Sequence, residues 1–210
     1  MSDIQPAQYT AFAGSKRIAA GTLAQVARQV RERFADEPVT GVLIFRDEDC
    51  HQAEVDFRGT ADQVAARIAA MEQAAPMPDA QQAAEAETPR GPGRPRLGVV
   101  AREVTLLPRH WDWLGAQPGG ASVALRKLVE DARKAGAGKD RVRQAQEASY
   151  RFMAAAAGDC AGFEEVARAL FAGDRARFDE RVALWPADLR DYLRQRAGAA
   201  FAEARKEESA

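Results

Sequence analysis

The hydrophobic pattern of the first third of the chain predicts a small α+β unit over residues 8–72. A glycine-serine turn near its start predicts a hairpin. Two stretches with apolar residues at helical spacing each follow a threonine that can cap a helix, Thr22 and Thr60. Residues 42–45 are continuously apolar, as in a buried strand, and residues 53–57 alternate, as in a half-buried strand. The predicted order of elements is therefore ββαββα.

The pattern changes twice beyond this unit. Residues 73–98 are rich in proline, alanine, glutamine and glutamate and hold almost no large apolar residue, which is typical of a linker. Residues 140–202 return to helical spacing, with glycine or proline between the stretches. We expect a helical C-terminal region there, with helices over 140–156, 163–171 and 175–184 and a fourth after Pro186.

Between these regions, residues 99–136 predict a strand followed by two helices. The strand covers residues 99–107, and Pro108 suits the first turn of a helix. The run from Gln117 to Gly120 ends that helix, and Ser122 can cap the next one. This order resembles a ribbon-helix-helix module, in which two chains pair their strands and the ribbon enters the major groove of DNA. The alternative is an ordinary strand packed with two helices.

The charge distribution adds weight to a DNA-binding interpretation. The formal net charge of the chain is −1, but residues 90–143 contain twelve lysines and arginines against five acidic residues. This block is therefore +7 and leaves −8 for the remainder. Such a block is typical of a polyanion-binding segment, and also of a solvated helical face. Within it, Gly93-Arg94-Pro95 resembles an AT-hook, which lies in the minor groove of A·T-rich DNA.

The candidate DNA-binding residues follow from these two features. Alternation along the strand places either Glu103 and Thr105 or Arg102 on the face that would read bases. The free N–H groups at the start of the second helix offer a phosphate site near Ala121. Because a glutamate on the reading face repels phosphates, the strand suits backbone binding better than base readout. The complete set is Arg90, Arg94, Arg96, Arg102, Glu103, Thr105, Ala121, Ser122, Arg126 and Lys127.

Nearly the whole chain, from about Thr10 to Leu193, resembles a family of bacterial proteins known as a domain of unknown function. The similarity rests chiefly on the central run RPRLGVVAREVTLLPRHW, residues 94–111. The resemblance implies a bacterial protein and offers no catalytic or ligand residues. Further similar stretches lie at residues 10–14, 17–19, 163–165, 169–174 and 185–188.

Other chemistry is not indicated by the sequence. Cys50-His51 is the only neighbouring Cys/His pair, and no second pair lies at the spacing of a metal site. The three carboxylates before it could gather a cation, but they fit a charged turn better. Cys160 has no downstream histidine to activate it as a nucleophile. We therefore expect no metal and no cofactor, and we favour a role without catalysis.

The favoured interpretation is a cytoplasmic, homodimeric regulator that binds DNA. The chain shows no secretory signal and no membrane-spanning apolar run, and its two cysteines give no disulfide framework. The alternative is a protein-interaction scaffold that dimerises without binding DNA. A third interpretation, an enzyme of unseen type in the N-terminal unit, has no residues to support it.

Overall fold

The computed structural model describes residues 7–35, 37–74 and 102–201 and has a mixed α+β fold. The chain divides into two compact units, residues 1–70 with 136–210 and residues 71–135, which we call the sheet unit and the middle unit. The elements are β1 (Tyr9–Ala13), β2 (Lys16–Gly21), α1 (Leu23–Phe34), β3 (Val42–Arg46), α2 (Ala61–Ala74), α3 (Pro108–Gly115), α4 (Gly120–Ala156), α5 (Phe163–Ala172), α6 (Arg175–Val182), α7 (Ala187–Ala197) and a 3-10 turn, Gly198–Phe201.

The sheet unit contains an antiparallel sheet in the order β2-β1-β3, with β1 at its centre. Successive side chains of a strand point to opposite faces. Ala11 and Ile44 therefore belong to one apolar cluster, and Phe12 and Phe45 belong to another. Since helices cover both faces, β3 is apolar throughout its buried length, as its uninterrupted pattern predicted.

Helix α1 covers the first face of the sheet, and α2 packs against α1. The Thr22 hydroxyl accepts from the Gln25 N–H at 3.4 Å, and the Gln25 carboxamide accepts from the Thr22 N–H at 3.0 Å. Thr60 and Gln63 repeat this capping box ahead of α2. Both predicted threonine caps are confirmed. The buried side chains on this side are Ala11, Ala19, Val26, Ala27, Val30, Ile44, Val64 and Ile68.

An aromatic cluster fills the second face. Phe12 and Phe45 from the sheet meet Phe152 of α4 and Tyr192 of α7, with ring centroids between 4.6 and 6.2 Å apart. The rings are tilted or edge-to-face, the arrangements that aromatic quadrupoles favour. The C-terminal helices thus complete the core of the N-terminal sheet.

The predicted helices α5, α6 and α7 are confirmed near their expected bounds. Gly173 ends α5 with a positive φ of 70°, which glycine adopts at no steric cost. Asp174 then caps α6, because its carboxylate accepts from the Arg177 N–H at 3.0 Å. Trp185 is buried after α6 and donates from Nε1 to the carbonyl of Ala161 at 2.9 Å.

The predicted fourth strand is absent, so the observed order is ββαβα. Residues 53–58 form no strand. An isolated bridge joins Phe45 of β3 to Gln52, directly before this stretch. Their side chains alternate in burial as expected. However, the Arg67 guanidinium takes the carbonyls of Asp56 and Arg58, which a sheet ladder would need.

The predicted separation between the second helix of residues 99–136 and the helix over 140–156 is also absent, because α4 runs without interruption from Gly120 to Ala156. Gly136 and Gly138 lie inside α4, where each glycine destabilises the helix by about 1 kcal/mol relative to alanine. Ion pairs between neighbouring side chains offset part of this loss. Glu130 with Arg133 and Asp140 with Arg143 form such pairs on either side of the glycines. Among the described residues, every helix is too short or too polar to cross a membrane.

Candidate functional site

The predicted DNA-binding module lies in the middle unit. We call residues 102–135, the part of this unit that contains α3 and the start of α4, the middle segment. Pro108 begins α3, as predicted. Gly119 and Gly120 have positive φ values of 85° and 75°, and they make the expected turn between the helices. Helix α4 starts at Gly120, so the prediction that Ser122 caps it is wrong. Ser122 lies in the first turn, where its carbonyl accepts from Arg126 Nε at 3.0 Å.

The strand of the predicted ribbon-helix-helix is not confirmed. Residues 102–107 form no strand in the single chain, and residues 99–101 lie outside the described part. Such a ribbon forms only between two chains, because a lone strand leaves its backbone groups unpaired. The ribbon therefore stays a prediction. The second helix is also longer than the predicted module requires, at 37 residues.

The middle segment exposes its large apolar side chains. Eleven such side chains are exposed in the described residues, and most of them belong to this short segment. Leu114 and Ala124 are its only buried residues. A segment that buries so few side chains gains little stability from its own packing. The seven exposed residues are Val104, Leu107, Trp111, Trp113, Val123, Leu128 and Val129.

The structure brings only some of the predicted DNA-binding residues together. Arg102, Glu103 and Thr105 are exposed ahead of α3. On α4, Ala121 is partly buried, whereas Ser122, Arg126 and Lys127 are exposed within its first two turns. No hydrogen bond or ion pair of the described residues joins the group ahead of α3 to the group on α4. Arg90, Arg94 and Arg96 lie outside the described residues.

A second polar feature lies in the sheet unit, at the charged turn after β3. Asp47 Oδ1 accepts from the Thr10 hydroxyl at 2.8 Å and from the Tyr192 hydroxyl at 3.0 Å. The Asp47 N–H donates to the carbonyl of Gln8 at 2.8 Å. The turn is thereby fixed to β1 on one side and to α7 on the other.

Arginines from three elements hold the same turn. Arg196 donates from Nη1 to the carbonyl of Asp47, and its guanidinium lies 5.4 Å from the centre of the Tyr192 ring. Arg151 donates to the carbonyl of Asp49, and Arg46 forms an ion pair with the Asp49 carboxylate. The charged sequence of the turn predicted its existence. The partners Arg151 and Arg196 could not be predicted, because they lie far along the chain on helices whose faces the pattern leaves undefined.

Cys50, at the end of this turn, packs in the hydrophobic core, and its thiol is not activated. It is fully buried, with a positive φ of 54°. Burial raises the pKa of its thiol to about 11, with the Tyr192 hydroxyl opposing the shift in part. Burial likewise raises the pKa of Cys160. A thiol that stays protonated is a poor nucleophile and a poor metal ligand. The described residues contain no His/Cys/Asp/Glu group that could hold a metal ion.

Two open grooves flank the turn within the sheet unit. One, with a volume of about 320 Å³, lies between the turn and helices α4 and α7, and its polar residues include Arg141 and Arg196. The other, of about 420 Å³, lies between the turn and α4 and includes His51 and Arg151. Both share Glu48 and Gln144 at their rims.

Taken together, the described residues define a mixed α+β protein with an aromatic-cored sheet unit and an apolar, exposed middle segment. The chain belongs to the DUF2239 family, described as an uncharacterised protein conserved in bacteria, whose family model matches residues 8–197. The predicted resemblance is thus confirmed over nearly the full length. Searches of curated proteins and of solved structures find no match.

Proposed function

We propose that the chain is a homodimer joined through the middle segment, and that the dimer binds DNA mainly through the phosphate backbone. The observation that carries the proposal is the exposure of seven large apolar side chains on the middle segment, beside exposed lysine and arginine. An identical second chain is the natural occupant, because a strand-helix-helix order completes its sheet and its core by pairing with itself.

The basic side chains of the segment support the DNA-binding part of the proposal. Arg102, Arg109 and Lys127 form no ion pair with any described residue, so they are available to phosphates. Arg133 and Lys134 already share Glu130. The segment alone is only +2, with six basic and four acidic residues, but Arg90, Arg94 and Arg96 precede it in sequence.

The same residues favour binding to the DNA backbone over reading of the bases. Phosphate contacts position a protein without regard to sequence, whereas base contacts need donors and acceptors on one face of the reading element. Glu103 and Thr105 offer no guanine-binding arginine. We therefore expect affinity to depend strongly on salt and weakly on DNA sequence.

A second candidate function is a dimeric scaffold without DNA binding. The apolar surface favours it as much as it favours the first, and the exposed carboxylates Glu103, Asp112 and Asp131, unpaired among the described residues, weaken attraction to phosphates. Both candidates require the dimer. Only the first requires affinity for a polyanion.

Fluorescence anisotropy with a labelled duplex of mixed sequence separates the two. A dimer that makes about six phosphate contacts should lose about a thousandfold in affinity between about 50 and about 200 mM salt. The double variant Arg126→Gln/Lys127→Gln should bind more weakly and show a shallower salt dependence.

The matched control is Arg28→Gln/Arg33→Gln, which removes two exposed positive charges from α1 in the sheet unit. It should bind like the wild type. Absence of binding at the lower salt concentration, with the dimer intact, would reject the DNA-binding function and leave the scaffold. Equal losses in the two double variants would show an effect of net charge alone.

A further inference from the structure

The groove between the charged turn, α4 and α7 combines a small apolar part with charged side chains of both signs. Three alanines line its apolar part, and its polar residues are Asp47, Glu48, Arg141, Gln144, Gln195 and Arg196. Its volume of about 320 Å³ lies at the lower end of the range of ligand sites, about 300–1,000 Å³. All of these residues belong to the sheet unit.

Two side chains of opposite charge in the groove, Arg141 and Glu48, are exposed. Arg141 forms no hydrogen bond or ion pair with a described residue, and neither does Glu48. Other arginines of α4 behave differently, since Arg143 pairs with Asp140 and Glu147. The second groove also differs, because both of its arginines are already engaged with Asp49.

Two further charged groups of the groove, Asp47 and Arg196, are held by contacts within the protein. Thr10 and Tyr192 both donate to Oδ1 of Asp47, and no described residue donates to Oδ2. Arg196 is held over the Tyr192 ring and by the carbonyl of Asp47, which occupies only one of its donors. Groups that are fixed before a ligand arrives lose little conformational entropy on binding.

We infer that this groove binds a small zwitterion of the α-amino-acid kind. A guanidinium holds a carboxylate through two parallel hydrogen bonds, which fits Arg141 together with the free donors of Arg196. An ammonium group needs carboxylate acceptors, and Asp47 and Glu48 are the two carboxylates that line the groove. The groove carries two positive and two negative side chains, so a ligand with one charge of each sign leaves the balance undisturbed. The alanines leave space for a short apolar side chain.

The test is isothermal titration calorimetry on the full chain with free amino acids of short side chain, such as alanine and valine. Two probes with one charge each accompany them, propionate without an amine and alaninamide without a carboxylate. We expect saturable binding of the amino acids and at least about tenfold weaker binding of either single-charge probe, since each lacks one charge-assisted contact. Binding of propionate as tight as that of alanine would overturn the assignment of a zwitterionic ligand and indicate a simple anion site.

Two variants test whether the binding takes place in this groove. Arg141→Gln and Glu48→Gln should each weaken binding of alanine at least about tenfold, and both residues are exposed, so folding should be unaffected. Arg143→Gln is the matched control, because Arg143 also lies on α4 but does not line the groove. Wild-type binding by Arg141→Gln, or no saturable binding of any amino acid up to about 10 mM in the wild type, would overturn the inference.

Discussion

The sheet unit buries Phe12, Phe45 and Phe152 against one another, whereas the middle segment leaves Trp111 and Trp113 exposed. Both regions are rich in large apolar residues, but only the first has enough elements to cover them. A small sheet with helices on both faces closes its own core. A short helix followed by the start of a long one does not. The sheet unit therefore closes its core within one chain, and we propose that the middle segment is half of an interface between two chains.

The largest expected effect is in the aromatic core. Phe152→Ala should lower the free energy of unfolding by about 3–5 kcal/mol, because it removes a fully buried ring and leaves a cavity. Urea unfolding measures this. Phe171→Ala is the control, since Phe171 is 52% exposed and its removal should cost about 1 kcal/mol or less. Similar losses in the two variants would contradict the placement of the core.

The second-largest expected effect is a loss of stability of the sheet unit at alkaline pH. Burial raises the pKa of the Cys50 thiol from 9.0 to about 11, so the folded state holds this proton more tightly than the unfolded state. The stabilisation is complete below pH 9 and is lost as the pH rises to about 11. The loss should be on the order of 2 kcal/mol.

Two cysteine variants check this pH dependence by urea unfolding at about pH 8 and about pH 10.5. Cys50→Ala should show a smaller loss of stability between the two pH values than the wild type does. Cys160→Ala should keep most of the wild-type loss, because Cys160 is only partly buried. Tyr192, whose pKa burial also raises, adds to the loss in all three proteins. The same loss in Cys50→Ala as in the wild type would contradict the assignment.

A smaller effect is expected at the hydrogen bond between Tyr192 and Asp47. Tyr192→Phe keeps the ring in the aromatic cluster but removes the donor 3.0 Å from Asp47 Oδ1. The cost should be about 0.5–1.5 kcal/mol, because Thr10 still donates to the same oxygen. Tyr150→Phe is the control, because Tyr150 is exposed and none of the described residues accepts from its hydroxyl. Unchanged stability of Tyr192→Phe would show that water replaces the lost donor.

The pattern of apolar and polar residues predicted the structure best where interactions within a few residues determine it. The threonine caps at Thr22 and Thr60, the buried strand at residues 42–45 and the helix start at Pro108 all follow from side-chain chemistry within a few residues. It failed at residues 53–58, where Arg67 replaces a neighbouring strand as the partner of the backbone carbonyls.

The polar sites show a second limit. The charge of the turn at residues 47–49 is visible in the sequence, but its partners Tyr192 and Arg196 are not. Helical spacing identifies which residues share a face and gives no information on which distant element meets that face. The exposure of the large apolar residues of the middle segment was not predicted, because helical spacing does not show whether an apolar face is covered by the same chain.

The central claim is that the middle segment joins two chains, and sedimentation equilibrium of the full-length protein tests it most directly. The wild type should sediment at twice the mass of one chain. Leu128→Glu should sediment as a monomer, because it buries a charge in the interface. Leu184→Glu, at an exposed leucine of the sheet unit, should remain a dimer. A wild type that stays monomeric at high concentration, or a dimer that survives Leu128→Glu but not Leu184→Glu, would contradict the account.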